Sequence, residues 1–281
     1  MTQQMTIAGL LNKKKKKERI TALTAYEYSF ARILDGAGID IILVGDSLGM
    51  VFAGYATTIP VTLEQMLYHT KAVKTGVERA LVVCDMPFLS YQASVESAIL
   101  NAGRAIKETG CDAVKMEGAG RMVHIVREVV ASGIPVMAHI GMTPQSLGQL
   151  GGYRVQGKTA VRARQLIEDA IALEGAGAFS IVLECIPQEL GEIITERLTI
   201  PTIGIGAGVD CDGQVLVTPD ILGLYGEIKP RFIKQYADIA AIAAAAIAQF
   251  IEEVGSGAFP GKEQCYAMSP EEKEALQKLI Q

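Results

Sequence analysis

An α/β fold of the (β/α)8 TIM barrel type is what this sequence predicts, on three observations. Eight short apolar runs alternate with segments whose apolar residues recur near the 3.6-residue helical period. Most of those segments end close to a glycine, where a helix C-cap belongs. The 281 residues are 49% hydrophobic and 20% charged, and no Pro/Gly/Ser linker divides them, so one barrel domain over 1–281 accounts for the length. An open doubly wound sheet shares the local signals and is the competing architecture.

Taken in order, residues 1–19 read as a flexible arm. Their one notable feature, "KKKKKER" at 13–19, is the usual composition of a solvated face. "ITALTAY" (20–26) is the first strand and "YSFARILDGAG" the helix after it. "IDIILVG" (39–45) is an almost unbroken apolar run, as expected of a strand covered on both faces. "ALVVCDM" (80–86) leads into "SVESAILNAGRAIKETG", and "AVKMEG" (113–118) into "MVHIVREVVASG". "IPVMAHI" (134–140) follows, and "TAVRARQLIEDAIALEGAG" separates it from "FSIVLEC" (179–185). "IPTIGIG" (200–206) and a weaker "QVLVT" (214–218) complete the eight. From about 229 to 281 the chain reads as a helical extension. Its Ala-rich stretch over 232–254 is expected to lie against the barrel wall or another subunit, because small residues permit close approach.

Composition excludes several classes of function. A net charge of −5 gives no global attraction for nucleic acid or an anionic membrane. Cys84, Cys111, Cys185, Cys211 and Cys265 form no CxxC or Cys/His spacing and read as reduced packing residues. No apolar stretch approaches the roughly 18 residues of a membrane span, and the first twenty residues lack a signal-peptide core. A soluble cytoplasmic protein is expected.

Functional residues of a barrel gather at the C-terminal strand ends. Read there in order, this chain presents Asp46, Asp85, Glu117, His139 and Glu184. Carboxylates rarely end apolar strands unless paired or bound to a cation. N-capping of the next helix could account for Asp46 or Asp85 singly, but not for Glu117 or Glu184, which lie inside their strands. Converging carboxylates with little His or Cys nearby suit a hard divalent cation, Mg²⁺ first. Lys115 stands two residues before Glu117, so the period of two puts both on the inner face, where a lysine suits a substrate anion. Ser47 can donate to the same anion. Glu184 stands further along the ring and is the candidate general base if it is free of the metal. His139 is either catalytic or a hydrogen-bonded core residue. "GIGAG" (204–208) lacks a neighbouring Lys or Arg, so its glycines read as close packing and not as a phosphate cradle.

The ordered set "TALTAYEYSFARILDGAGIDIILVGDSLGMV", "IPVTLEQMLYHTKAV", "CDMPFLSY", "AVKMEGA", "AHIGMTPQS", "GGYRVQGKT", "IVLECIP", "IPTIGIGAG" and "DGQVLV" resembles the ketopantoate hydroxymethyltransferase family over residues 6 to 260. The resemblance implies transfer of a hydroxymethyl group from 5,10-methylenetetrahydrofolate to 3-methyl-2-oxobutanoate, giving 2-dehydropantoate and tetrahydrofolate in pantothenate synthesis. It implies a Mg²⁺-dependent barrel of the phosphoenolpyruvate mutase/isocitrate lyase type, cytoplasmic, and a homo-oligomer, a decamer of two pentameric rings. Carried over by position, Asp46, Asp85 and Glu117 would be the metal ligands. Asp46, Ser47, Asp85 and Lys115 would hold the keto acid, and Glu184 would remove the C3 proton to give a Mg²⁺-stabilised enolate. His139 is an additional candidate. Two stretches depart from the family pattern. "GYATT" (54–58) stands where a Gly-His-Asp-Ser-Thr type loop is expected, and Thr218 and Pro219 stand in place of an aromatic/His-Asp pair. A carbon–carbon lyase or phosphonomutase, and a non-catalytic keto-acid sensor, are the alternatives on the same barrel.

Overall fold

The computed structural model describes residues 4–281 apart from 147, 149–151, 153 and 227–229, so part of the "GGYRVQGKT" motif and residue 229 lie outside the described residues. Eight parallel strands close in sequence order, β1 pairing with both β2 and β8. They are β1 (Ile20–Thr24), β2 (Ile41–Val44), β3 (Leu81–Asp85), β4 (Ala113–Glu117), β5 (Val136–Gly141), β6 (Ser180–Glu184), β7 (Thr202–Ile205) and β8 (Gly213–Leu216). This is the expected barrel. Two strands begin later than their apolar runs for a common reason. Pro135 and Pro201 precede β5 and β7, and a residue without an N–H cannot donate to the ladder.

Alternation assigns every strand residue a face. Ile41, Leu43, Leu81, Val83, Ala113 and Met137 form one cluster inside the barrel. Ile42, Val44, Val82, Val114, Ala138 and Ile181 point outward and join the larger cluster against the helices. The wall helices are α2 (Tyr28–Ala37), α4 (Leu63–Lys74), α5 (Val95–Thr109), α6 (Arg121–Ala131), α7 (Ala160–Gly175) and α8 (Gln188–Arg197), and α3 (Leu48–Val51) is a single turn after β2. Local chemistry starts and stops them. Thr62 with Gln65, and Ser94 with Ser97, make capping boxes at α4 and α5. Gly110 takes φ 73° to end α5.

The N-terminal segment corrects the expectation of a flexible arm. Residues Ile7–Lys15 form α1, started by Thr6 accepting from the Gly9 amide, and Leu10 is fully buried with the inner barrel cluster. The basic run is not solvated throughout. Lys13 pairs with Asp40 at 2.7 Å and Lys14 with Asp212 at 2.7 Å. Those acids in turn accept from the Thr21 and Thr202 amides. The run therefore ties α1 to the end of the barrel opposite the strand C-termini.

The C-terminal extension holds a second correction. After the short α9 (Thr218–Ile221), the Ala-rich helix is α10 (Ile239–Ser256), which begins later than 232 where Asp238 caps it. No residue of α10 is buried, so it does not lie against its own barrel wall. By length and composition α10 could cross a membrane, contrary to the expectation that no stretch approaches that length. α11 (Pro270–Leu279) is a short polar helix within the expected helical extension.

Candidate active site

Gly45 opens the site, because a Cβ there would meet Ser47 Oγ at 2.8 Å. The chain turns from β2 into α3, placing Asp46 and Ser47 at the barrel mouth. Asp85, Lys115, Glu117, His139 and Glu184 arrive on inward-facing positions of β3 to β6. Lys115 and Glu117 share the inner face as the alternation required. All seven predicted residues line one cavity of about 470 Å³, within the range that holds ligands well beyond a five-carbon acid.

Their geometry is a closed charge network. Lys115 Nζ lies 2.9 Å from Asp85 Oδ1 and 3.4 Å from Glu117 Oε1. His139 Nδ1 lies 3.2 Å from Glu117 Oε1, and its Nε2 lies 3.2 Å from Glu184 Oε2. The Asp46 amide donates to Asp85 Oδ2 at 3.1 Å. Ser47 Oγ and Tyr26 Oη are 2.9 Å apart. Four carboxyl groups share two cationic partners, Lys115 and His139.

Electrostatics follow from that imbalance. Burial raises the Asp46 carboxyl well above its usual range, and the charges of Asp85 and Glu117 raise it further. Burial also raises Asp85, with Lys115 opposing. Glu117 moves the other way: burial would raise it, but Lys115 and His139 lower it to about 2. Burial opposes the charge on Lys115, yet Asp85, Glu117 and Asp46 together push its pKa up. For His139, burial and Lys115 favour the neutral ring, and the Glu117 and Glu184 carboxylates outweigh both, raising it to about 9.

His139 is therefore an imidazolium at neutral pH, which makes it a poor base and a good support for Glu184. Its folded pKa exceeds the ordinary 6.5, so its stabilising charge is fully present below about pH 6.5 and is lost as pH rises through about 9. Ring-proton NMR of the metal-free chain is expected to give a midpoint near 9. A midpoint at or below 6.5 would remove the imidazolium from the network.

The cavity fits a hard cation. Among the described residues no three His, Cys, Asp or Glu side chains already stand as a ligand cage. Asp85 Oδ1, however, is buried without an aligned hydrogen bond, even though the Lys115 ammonium is close. It stands beside Asp46, whose charged form burial and the neighbouring acids oppose. These two carboxylates suit Mg²⁺. Glu117 is more occupied, since Oε1 faces Lys115 and His139 and Oε2 accepts from the Gln145 amide at 3.2 Å.

Sequence reasoning missed the groups that hold these side chains. Gln145 donates to Asp46 Oδ2 at 3.0 Å and to the Met86 carbonyl at 2.9 Å. Tyr91 Oη accepts from the Glu117 amide at 2.9 Å and donates to Gln145 Oε1 at 2.9 Å. Gly141, at φ 100°, lies so close to the Glu184 carbonyl that any Cβ would collide with it, and that contact fixes the β5–β6 spacing behind His139 and Glu184. At "GIGAG", a Cβ on Gly206 would meet the Phe232 ring at 2.7 Å, which agrees with the packing reading of that loop. Cys185 also lines the cavity, strained at φ 48°. Burial and Glu184 push its thiol up to about 11, so it is no thiolate nucleophile at neutral pH.

With the geometry in place, the comparisons with known proteins bear on it. The family model for ketopantoate hydroxymethyltransferase matches residues 4–262. The chain belongs to the ketopantoate hydroxymethyltransferase family. Relatives named 3-methyl-2-oxobutanoate hydroxymethyltransferase agree. The one from Pelobacter propionicus is 53% identical over 95% of this chain and 98% of its own length. The one from Geotalea uraniireducens is 57% identical over 92% and 97%. Among solved structures, phosphonopyruvate hydrolase in complex with oxalate and Mg²⁺ aligns at TM-score 0.58 and 14% identity, covering 98% of this chain and 96% of that one. A 2,3-dimethylmalate lyase, described as a PEP mutase/isocitrate lyase superfamily member, aligns at 0.57 and 16%, covering 98% and 95%. At such identity these two show the shared barrel. This member of the ketopantoate hydroxymethyltransferase family has its charge network at the end of the barrel where such folds place their chemistry.

Proposed function

We propose that this chain transfers a hydroxymethyl group from 5,10-methylenetetrahydrofolate to 3-methyl-2-oxobutanoate, giving 2-dehydropantoate and tetrahydrofolate with consumption of one water. The carrying observation is the pair of buried, undercompensated carboxylates, Asp46 and Asp85, beside Lys115 in a chain of this family. Asp46 and Asp85 would hold Mg²⁺, with Glu117 as the third acid. When bound, the metal supplies Lewis-acid polarisation of the ketone.

The chain's own residues do the rest. Lys115, a fixed ammonium among carboxylates, stands ready to stabilise charge developing on the ketone oxygen as the enolate forms. Ser47, positioned by Tyr26, offers a hydroxyl to the substrate carboxylate. Glu184 is the base for the C3 proton. Its carboxylate is the most accessible of the four, with a side chain 13% exposed against 3% for Glu117, and the His139 imidazolium beside it holds its orientation. Following tetrahydrofolate formation by absorbance tests the reading. Turnover should require both the keto acid and Mg²⁺, and the absence of turnover with both present would overturn it.

A homo-oligomer, the decamer of two pentameric rings, belongs to the same proposal, and α10 supports it. Ile242, Ile247, Phe250 and Val254 stand on one side of that helix and are 49–64% exposed in the single chain, which is the state of an interface lacking its partner. Glu252 and Glu253 and the many alanines favour a protein neighbour over a lipid one. Ile247→Glu is expected to lower the particle mass in light scattering, while Ala245→Glu, on the opposite side, should not. An unchanged mass in Ile247→Glu would exclude α10 from the interface. A cytoplasmic setting is proposed with it, since all five cysteines are free thiols.

A further inference from the structure

The carboxylate network draws on β2 to β6, and one acid in the same cavity stands apart from it. Asp220, in α9 after β8, lines the cavity on the β8–β1 side, across the barrel from Lys115 on β4. It is half-buried, and no described side chain or backbone amide donates to its carboxylate. Burial alone raises its pKa to about 6, which marks surroundings that give the charge little solvation. Asp220 is nevertheless held firmly. Thr218 Oγ1 donates to the Thr24 carbonyl at 2.5 Å, and the Thr218 amide donates to Thr24 Oγ1 at 3.1 Å, fixing α9 to the end of β1. The Ile221 and Leu222 carbonyls accept from Tyr236 and Ile239. Around it the cavity wall is apolar and aromatic, with Val217, Tyr225, Pro230, Phe232 and Ile233.

A firmly placed carboxylate without a donor, in an apolar wall, is costly unless a ligand supplies the donors. The keto acid cannot be that ligand, because it is an anion that offers only acceptors. What the wall fits is a flat heteroaromatic ring with two adjacent N–H donors on one edge and an apolar face. A carboxylate accepts such an edge through two parallel hydrogen bonds, and side chains such as Phe232 offer surface to the ring face.

We propose that Asp220 anchors the pterin ring of the folate cosubstrate, accepting from its 2-amino group and its N3–H. The keto acid then occupies the β2–β6 side of the mouth and the pterin the β8–β1 side, with the one-carbon unit between them. Arg231, at the rim of the same wall, suits the carboxylates of the glutamate tail. This assignment rests on the folate-dependent reading above.

The test is equilibrium binding of tetrahydrofolate to the Mg²⁺-loaded oligomer, by calorimetry, for the parent and for Asp220→Asn, which keeps the side-chain size but loses the charge and one acceptor. The variant is expected to bind tetrahydrofolate at least tenfold more weakly, while its Kd for the keto acid alone stays within twofold, which also shows that it is folded. A 2-desamino-2-methyl tetrahydrofolate should likewise bind the parent at least tenfold more weakly than tetrahydrofolate, and the penalty should largely vanish in Asp220→Asn. Equal tetrahydrofolate affinity in parent and variant, or a parent indifferent to the 2-amino group, overturns the assignment alone. A parent that binds no tetrahydrofolate overturns the folate-dependent reading, and the assignment falls with it.

Discussion

Glu184→Gln is expected to lower the exchange of the C3 proton of 3-methyl-2-oxobutanoate with deuterated water by about 10²–10⁴-fold, with turnover falling in parallel. Glutamine keeps the size of the side chain and an oxygen beside His139, but it cannot take up the C3 proton. Among the described residues the Glu184 side chain has one ion-pair partner, His139 Nε2 at 3.2 Å, and that nitrogen has no well-aligned hydrogen bond. Losing the carboxylate charge removes one of the two acids that hold His139 protonated and leaves the ring its pair with Glu117 at 3.2 Å. Asp46 and Asp85 keep their positions, so affinities for Mg²⁺ and the keto acid should stay within a few-fold of the parent. Exchange needs no folate, which isolates deprotonation from carbon–carbon bond formation. NMR exchange at the parental rate would show that another group is the base. The His139 imidazolium, with its pKa near 9, makes that residue a weak substitute below neutral pH. Collapse of Mg²⁺ binding in the variant would make Glu184 a ligand instead.

The sequence carried the parts of this site that obey a period. Strand alternation puts Lys115 and Glu117 on one face, and the strand-end rule collects Asp46, Asp85, His139 and Glu184, all of which reach one cavity. What it did not carry lies in loops and in long-range pairs. Gln145 sits in the turn after β5 and bonds to Asp46 from 99 residues away, a partnership that leaves no periodic trace. Tyr91 reads as one more apolar residue, although its hydroxyl links β4 to Gln145. In "LVTPD" the departures from the family pattern are Thr218 and Pro219. Thr218 proves to be a brace on Thr24, and it is Asp220 beside them that reaches the cavity. The lysine run hides its role in the sequence for a similar reason. Its partners Asp40 and Asp212 are 27 and 198 residues away, so only the closed barrel brings them to α1.

Replacing Asp46 or Asp85 by asparagine is expected to weaken Mg²⁺ binding about 100-fold or more in each case, yet to move the stability of the metal-free chain in opposite directions. Burial, and then the charges of Asp85 and Glu117, oppose the ionised form of Asp46. Its folded pKa lies above the unfolded one, so its charge destabilises the fold increasingly as pH rises past the unfolded value near 3.8 toward the folded one. Asp46→Asn removes that repulsion, and the new amide oxygen can still accept from Gln145, so the metal-free variant should melt at or above the parent near neutral pH. Burial raises Asp85 as well, but its loss would strand a buried cation. It is the closest partner of the buried Lys115 ammonium at 2.9 Å, and Asp85→Asn leaves that charge facing Glu117 at 3.4 Å. Breaking a buried pair costs about 3–5 kcal/mol, and the remaining partner keeps the loss toward the lower end of that range, several degrees in melting temperature for a chain of this size. Calorimetry without and with Mg²⁺ separates the two effects. The parent should gain about 2.7 kcal/mol when the metal is at 100 times its Kd, and both variants should gain almost nothing at that concentration. Parental Mg²⁺ affinity in both would remove these two aspartates from the metal site. A destabilised Asp46→Asn would mean that the buried Asp46 carboxylate is not held at a net cost to the fold.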